Sequence, residues 1–89
     1  MNVFSDLKLN SKTSLYLQII QHVKRKILNK SIIAYTPLPS RRELASLLSI
    51  NPNTVQKSYK LMEEEGILRT ISNVKSVVYV DEQIMERLQ

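Results

Sequence analysis

LPSRRELASLLSINPNTVQKSYKLMEEEG, residues Leu38 to Gly66, decides how this chain is read. Ser40 is followed three residues later by Glu43, and then by apolar Leu44, Ala45, Leu47 and Leu48. That order opens a helix with a capping box: the Ser40 hydroxyl accepts from the Glu43 amide, and the Glu43 carboxylate reaches back to the Ser40 amide. Leu48-Ser49-Ile50 interrupts the period and Asn51-Pro52 restarts it. Asn is a favoured N-cap, and Pro at the first helical position gives up an amide that would have no helical partner. Val55, Tyr59 and Met62 then share one face. Glu63-Glu64-Glu65 reads as the solvated end of this second helix, and Gly66 supplies the left-handed residue that stops it. Two helices across so short a turn make a helix-turn-helix.

The side chains left off the buried stripe carry the functional signal. Asn53, Thr54, Gln56, Lys57 and Lys60 lie away from Val55, Tyr59 and Met62. Asn and Gln pair with adenine through two hydrogen bonds, Thr meets an acceptor or a thymine methyl, and Lys reaches phosphate or guanine. The start of the second helix is the part that enters the major groove in a helix-turn-helix. Taken alone, these residues are an ordinary solvated helix face. After a capped helix in a basic chain, they read as a DNA-contacting surface.

With 89 residues, 43% apolar and 24% charged, the chain has room for one small folded domain. No apolar run approaches the ~20 residues of a membrane span, and no basic-then-apolar signal pattern opens the chain. The lack of cysteine fits a reducing, cytoplasmic setting and removes disulfides and thiolate metal sites. The net charge of +5 is unevenly spread. Residues 1–60 hold ten Lys/Arg against two acidic groups, net +8, and residues 61–89 hold three against six, net −3. The half containing the helix-turn-helix is the half suited to a polyanion.

Either side of this stretch, the pattern gives further elements. Leu7-Lys8-Leu9 allows a short strand, or residues 1–12 form an arm that packs on a partner. A helix from Thr13 or Ser14 to about Asn29 has Tyr16, Ile19, Ile20, Val23 and Ile27 at helical spacing. Its Lys24, Lys26 and Lys30 are read as facing water, and His22, the only histidine, as surface or boundary packing. Ile32, Ile33 and Tyr35 of the linker are apolar enough to pack at the core edge. Ile67–Ser72 and Ser76–Val80 have strand composition around a tip at Asn73-Val74-Lys75. Arg69 and Lys75 on this hairpin can reach a DNA backbone or minor groove, and an ordinary solvated hairpin accounts for the same pattern equally well. Asp81 then caps a short helix with Ile84, Met85 and Leu88 on one stripe, which reads as a contact for a partner subunit, or for further helices beyond Gln89, because a domain this small has little left to cover it.

The expected fold is mainly α with a small β-hairpin. It is a winged helix-turn-helix, a three-helix core plus two-stranded wing, followed by a short C-terminal helical tail. Residues 1–80 would form the DNA-binding domain and 81–89 the start of the tail.

The segments SLYLQI, LPSRRELASLL and NPNTVQKSYKLMEEEGIL resemble the N-terminal domain of GntR-family bacterial transcription regulators, in their YtrA-like branch. The resemblance covers about Ser14 to Val80, and its specific motifs are Pro39–Ala45 and Asn51–Tyr59. It implies that Arg42 binds backbone phosphate, with Arg41 beside it at a position that varies in the family. It also implies that Pro52, Asn53, Thr54 and Gln56 meet bases and phosphates. The implied partner is a near-palindromic double-stranded operator bound by a homodimer, usually to repress transcription. The dimer contact would lie in the tail or the N-terminal arm. Three positions depart from the family: Ser49 where the turn usually has Gly, Ser72-Asn73-Val74-Lys75-Ser76 in place of a glycine-rich wing tip, and Asn29-Lys30-Ser31 where the linker usually has glycines.

Other function classes have less support. A winged-helix module docking on protein would suit the apolar tail and linker, but calls for a neutral or apolar outward face on the third helix. A plasmid or phage replication or partition protein would bind DNA with the same fold and differ in its target. An enzyme is not expected: there is one His, one Gly and no Cys, and the acidic triplet points in different directions on a helix. No cofactor loop and no metal-ligand spacing is present in the sequence. The residues name neither the operator nor a small-molecule effector.

Overall fold

The computed structural model describes residues 2–73 and 75–89. Its elements, in order, are α1 (Leu15–Leu28), β1 (Pro37–Leu38), α2 (Arg41–Leu48), α3 (Pro52–Glu65), β2 (Leu68–Ser72), β3 (Lys75–Val78) and α4 (Glu82–Leu88). The helix-turn-helix forms as its caps dictate. Ser40 and Glu43 make the reciprocal capping box of α2, with bonds of 3.1 and 3.0 Å. Asn51 caps α3 through its side-chain oxygen, 2.8 Å from the Asn53 amide, with Pro52 in the first turn. Val55, Tyr59 and Met62 are fully buried against Ile19, Val23 and Ile27 of α1 and Leu44 of α2 in one core. Each such side chain contributes on the order of 1.5–3 kcal/mol.

The sheet holds one strand more than the sequence suggests. It is antiparallel in the order β1-β3-β2, with Pro37 opposite Val77 and Leu38 opposite Ser76. The Tyr35 amide donates to the Val78 carbonyl at 2.6 Å and the Val78 amide to the Thr36 carbonyl at 2.8 Å, continuing the ladder past β1. Two residues, one of them proline, present no alternation for a sequence reading to detect. At the hairpin tip, Lys75 belongs to β3 and pairs with Ser72, Asn73 lies in the turn, and Val74 is outside the described residues.

Several peripheral segments fold differently from expectation. Residues 7–9 form no strand. Instead, Val3 and Phe4 are buried in the core, and the Phe4 ring stacks on His22 at 5.7 Å. His22 is therefore buried, not superficial, with Nε2 2.8 Å from the Val3 carbonyl. Lys26 pairs with Asp6 at 2.8 Å and Lys24 with Glu65 at 2.8 Å, so neither simply faces water. Ile32 packs on the core, but Ile33 and Tyr35 are exposed. The tail does find cover within its own domain. Asp81 caps α4 through the Ile84 amide, Ile84 is buried, and Met85 and Leu88 pack on the core.

At positions where the resemblance implies glycine, the chain bends with other residues. Ser49 ends α2 at φ 55° and ψ 46°, and Lys30 lies at φ 62° after α1. Left-handed backbone costs a non-glycine residue about 1–2 kcal/mol, partly offset by the lower unfolded-state entropy of a residue with a Cβ. Ser49→Gly should therefore stabilise the domain by about 0.5–1 kcal/mol. The check is a thermal melt, in which a domain of this size should gain a few degrees.

Candidate nucleic-acid interface

One face of α3 is built to look outward. Asn53, Gln56, Lys57 and Lys60 recur at i, i+3, i+4 and i+7, share a face, and are exposed. Pro52 is exposed at the helix start, and Thr54 is half-buried with its amide bonded to the Asn51 carbonyl at 3.0 Å. The first turn of α3 contains no acidic residue, so its positive dipole end is unopposed within that turn. Tyr59 connects this helix to its neighbour, donating from its hydroxyl to the Pro39 carbonyl at 2.7 Å just ahead of α2. Burial pushes the Tyr59 phenol well above its ordinary pKa, which keeps it a donor.

The basic residues named from sequence fall into two groups. Arg42, Lys60 and Lys75 are exposed, and Arg42 lines a cleft of about 340 Å³ with Ser40, Arg41, Asn73 and Ser76, between the start of α2 and the wing. Other cations are held against the protein. Lys57 places its ammonium 3.9 Å from the centre of the Tyr16 ring, and Arg69 stacks on Tyr79 at 3.5 Å. Arg41 lies 5.2 Å from the Tyr59 ring centre and donates to Glu63 at 3.1 Å. Its Nε is buried with no acceptor among the described residues.

Glu63 and Glu65 are thus not free ends of a solvated helix. Glu63 accepts from Arg41 on one oxygen and from the Thr70 hydroxyl on the other, at 2.9 Å, joining α2, α3 and β2. Glu65 pairs with Lys24 of α1, and its carbonyl accepts from Arg87 of α4 at 3.0 Å. The Arg41 and Glu63 side chains are 26% and 37% exposed, so their pair adds at most about 1 kcal/mol to stability. Sequence reading missed Tyr16 and Glu63 because their partners lie 41 and 22 residues away or come from another element. Only the left-over acidity of the triplet pointed toward Glu63.

A family model for bacterial regulatory proteins of the gntR family matches residues 15–78, most of the chain. The chain belongs to the gntR family of bacterial regulatory proteins. It is 48% identical over 61 residues to the HTH-type transcriptional repressor YtrA of Bacillus subtilis (strain 168), covering 68% of this chain and 47% of that protein. The matched stretch thus spans about half the length of that curated relative. Among solved structures, a GntR family transcriptional regulator from Listeria monocytogenes superposes with a TM-score of 0.77 at 30% identity, covering 90% of this chain and 70% of that one. YtrA from Sulfolobus acidocaldarius, a GntR-family transcription factor, gives 0.75 at 30% identity, covering 93% and 72%. The gntR-type winged helix is therefore the fold of this chain, and the family is one of DNA-binding transcription regulators. No helix among the described residues is long and apolar enough to cross a membrane.

The capping box that sets the start of α2 also makes the domain sensitive to acid. The Ser40 backbone amide, which donates to Glu43 Oε1, and the Ser40 side chain beside it hold the Glu43 carboxyl below its ordinary value of 4.5, and Lys26 does the same for Asp6 relative to 3.8. Both groups are lowered on folding, so their stabilisation is present above the ordinary values and is lost as pH falls through the lowered ones. Glu43→Gln keeps an acceptor at Ser40 but cannot titrate. Its melting temperature should fall less than that of the native chain between about pH 6 and about pH 3.

Proposed function

We propose that this chain is the operator-binding part of a sequence-specific transcription regulator, acting as a repressor on a near-palindromic site read by two copies. The observation that carries the reading is the exposed polar and basic face of α3 made by Asn53, Gln56, Lys57 and Lys60, with Arg42 exposed on α2. In this reading α3 enters the major groove, where Asn53, Thr54 and Gln56 read base edges and Pro52 makes apolar contact. Arg42, Lys60 and Lys75 neutralise phosphates and set the register, with Lys57 joining them by leaving the Tyr16 ring. Arg41 shares the cleft of Arg42 but is held by Glu63. Two half-sites would lie about 34–36 Å apart, one turn of duplex, to match the two-fold axis of a dimer. Residues 1–80 act as the DNA-binding domain and 81–89 as its tail. The strong likeness to the YtrA repressor supports repression as the outcome.

A protein-docking role would need an apolar outward face where α3 offers Asn53, Gln56, Lys57 and Lys60. Fluorescence anisotropy with duplex from upstream of the gene, beside a scrambled duplex, separates the readings. Gln56→Ala should cost about 1–3 kcal/mol on the preferred site and relax specificity at one base pair. Arg42→Ala should weaken binding to both duplexes and lower the salt slope by about one. Unchanged binding in both variants would remove these residues from the interface, and no binding by the native chain at low salt would remove the DNA reading altogether.

A further inference from the structure

Arg41 and Arg42 line the same cleft between α2 and the wing, yet only Arg42 is exposed. Arg41 turns inward, with Nη2 on Glu63 Oε1 at 3.1 Å and its guanidinium over the Tyr59 ring. Glu63 is itself oriented from a second side, because its Oε2 accepts from Thr70 Oγ1 on the wing strand at 2.9 Å. Carboxylate and phosphate are both oxyanions that take arginine through charge-assisted hydrogen bonds. A carboxylate already aimed at Arg41 is thus a built-in competitor for any DNA phosphate that approaches the cleft.

Resting on the reading that this surface binds DNA, we propose that Glu63 is a specificity-determining positioning residue. It stands in for a phosphate, holds Arg41 off the DNA backbone, and so lowers sequence-independent affinity relative to base-read affinity. Backbone contacts carry no sequence information, and each cation free to neutralise a phosphate strengthens binding to every duplex. Through Glu63, the chain keeps the packing of Arg41 on Tyr59 while withholding its charge from the backbone. The Nε of Arg41, buried with no acceptor among the described residues, agrees with this: the side chain is placed by Glu63 and Tyr59 together. The Thr70 bond gives the same carboxylate a hold on the wing, so the sequestered arginine and the wing strand share one anchor.

The test is a double-mutant cycle read by anisotropy on the scrambled and native duplexes, using the native chain, E63Q, R41Q and E63Q/R41Q. At position 63 glutamine keeps the shape and an acceptor oxygen but removes the charge, and at position 41 it removes the guanidinium and its charge. E63Q should bind the scrambled duplex more tightly at low salt, and its preference for the native duplex should narrow. Between about 50 and about 200 mM salt it should lose about three- to fourfold more affinity than the native chain, the increment of one further neutralised phosphate. R41Q alone should match the native chain in salt slope, and the extra slope of E63Q should vanish when Arg41 is absent. A flattened slope in R41Q would show that Arg41 already contacts DNA and would overturn the proposal. So would an E63Q effect of equal size with and without Arg41, which is a change of net charge only, or scrambled-duplex binding by E63Q that is unchanged or weaker. Failure of the native chain to bind either duplex would remove the DNA reading and this proposal with it, whereas native binding with an inert E63Q would remove the role of Glu63 alone.

Discussion

Tyr59 ties the core of this domain to its outward surface. Its ring is fully buried among the side chains that α1, α2 and α3 contribute, and its hydroxyl reaches the Pro39 carbonyl one residue ahead of the α2 cap. The angle between the two helices of the motif is thereby set by one side chain that cannot move without opening the core. A buried hydroxyl left without its acceptor would cost about 1–3 kcal/mol, so the bond restrains geometry as well as adding stability. The same ring carries Arg41 on its edge of the cleft. The orientation of α3 against α2 and the placement of Arg41 beside it are consequences of the same burial.

Charge in this chain is managed by pairing across elements instead of along helices. Glu63 joins α2, α3 and the wing, Glu65 joins α3 to α1 and α4, and Asp6 ties the N-terminal segment to α1. Each pair is partly exposed and individually weak, but each acts where an otherwise short element needs an anchor. α4 is seven residues long and could not hold as an isolated helix. Its cap at Asp81, the burial of Ile84 and the reach of Arg87 to the Glu65 carbonyl keep it on the domain. Exposed cations outside these pairs include Arg42, Lys60 and Lys75 on α2, α3 and the wing, and also Lys8, Lys12, Arg25 and Lys30 in the N-terminal segment and on or just after α1.

Turns made without glycine show where fold geometry prevails over local preference. Ser49, Lys30 and Tyr35 all adopt positive φ. Tyr35 does so beside the sheet, with its amide on the Val78 carbonyl and its ring edge-on to Tyr79 at 6.2 Å. Those contacts, and the helix ends that Ser49 and Lys30 terminate, offset the local strain. Gly66 is the one position where residue and conformation agree, at φ 83°, and a Cβ there would be limited by the backbone angle, since its nearest neighbour is the end of the Arg87 side chain at 3.8 Å.

The sequence by itself determined what depends on neighbours along the chain. The Ser40–Glu43 box, the Asn51-Pro52 restart, the Val55/Tyr59/Met62 stripe and the Gly66 stop are all interactions within one helical turn or one helix face, so their residue types specify them directly. The outward set from Asn53 to Lys60 followed from the same periodicity. Only the tertiary structure decided what depends on distant partners. It buried Phe4 and His22 together, added Pro37 and Leu38 as a third strand, folded α4 onto its own domain, and separated neighbouring arginines into an exposed Arg42 and a sequestered Arg41. None of these contacts has a period or a fixed spacing, because each joins side chains that meet only after the core has brought their elements together.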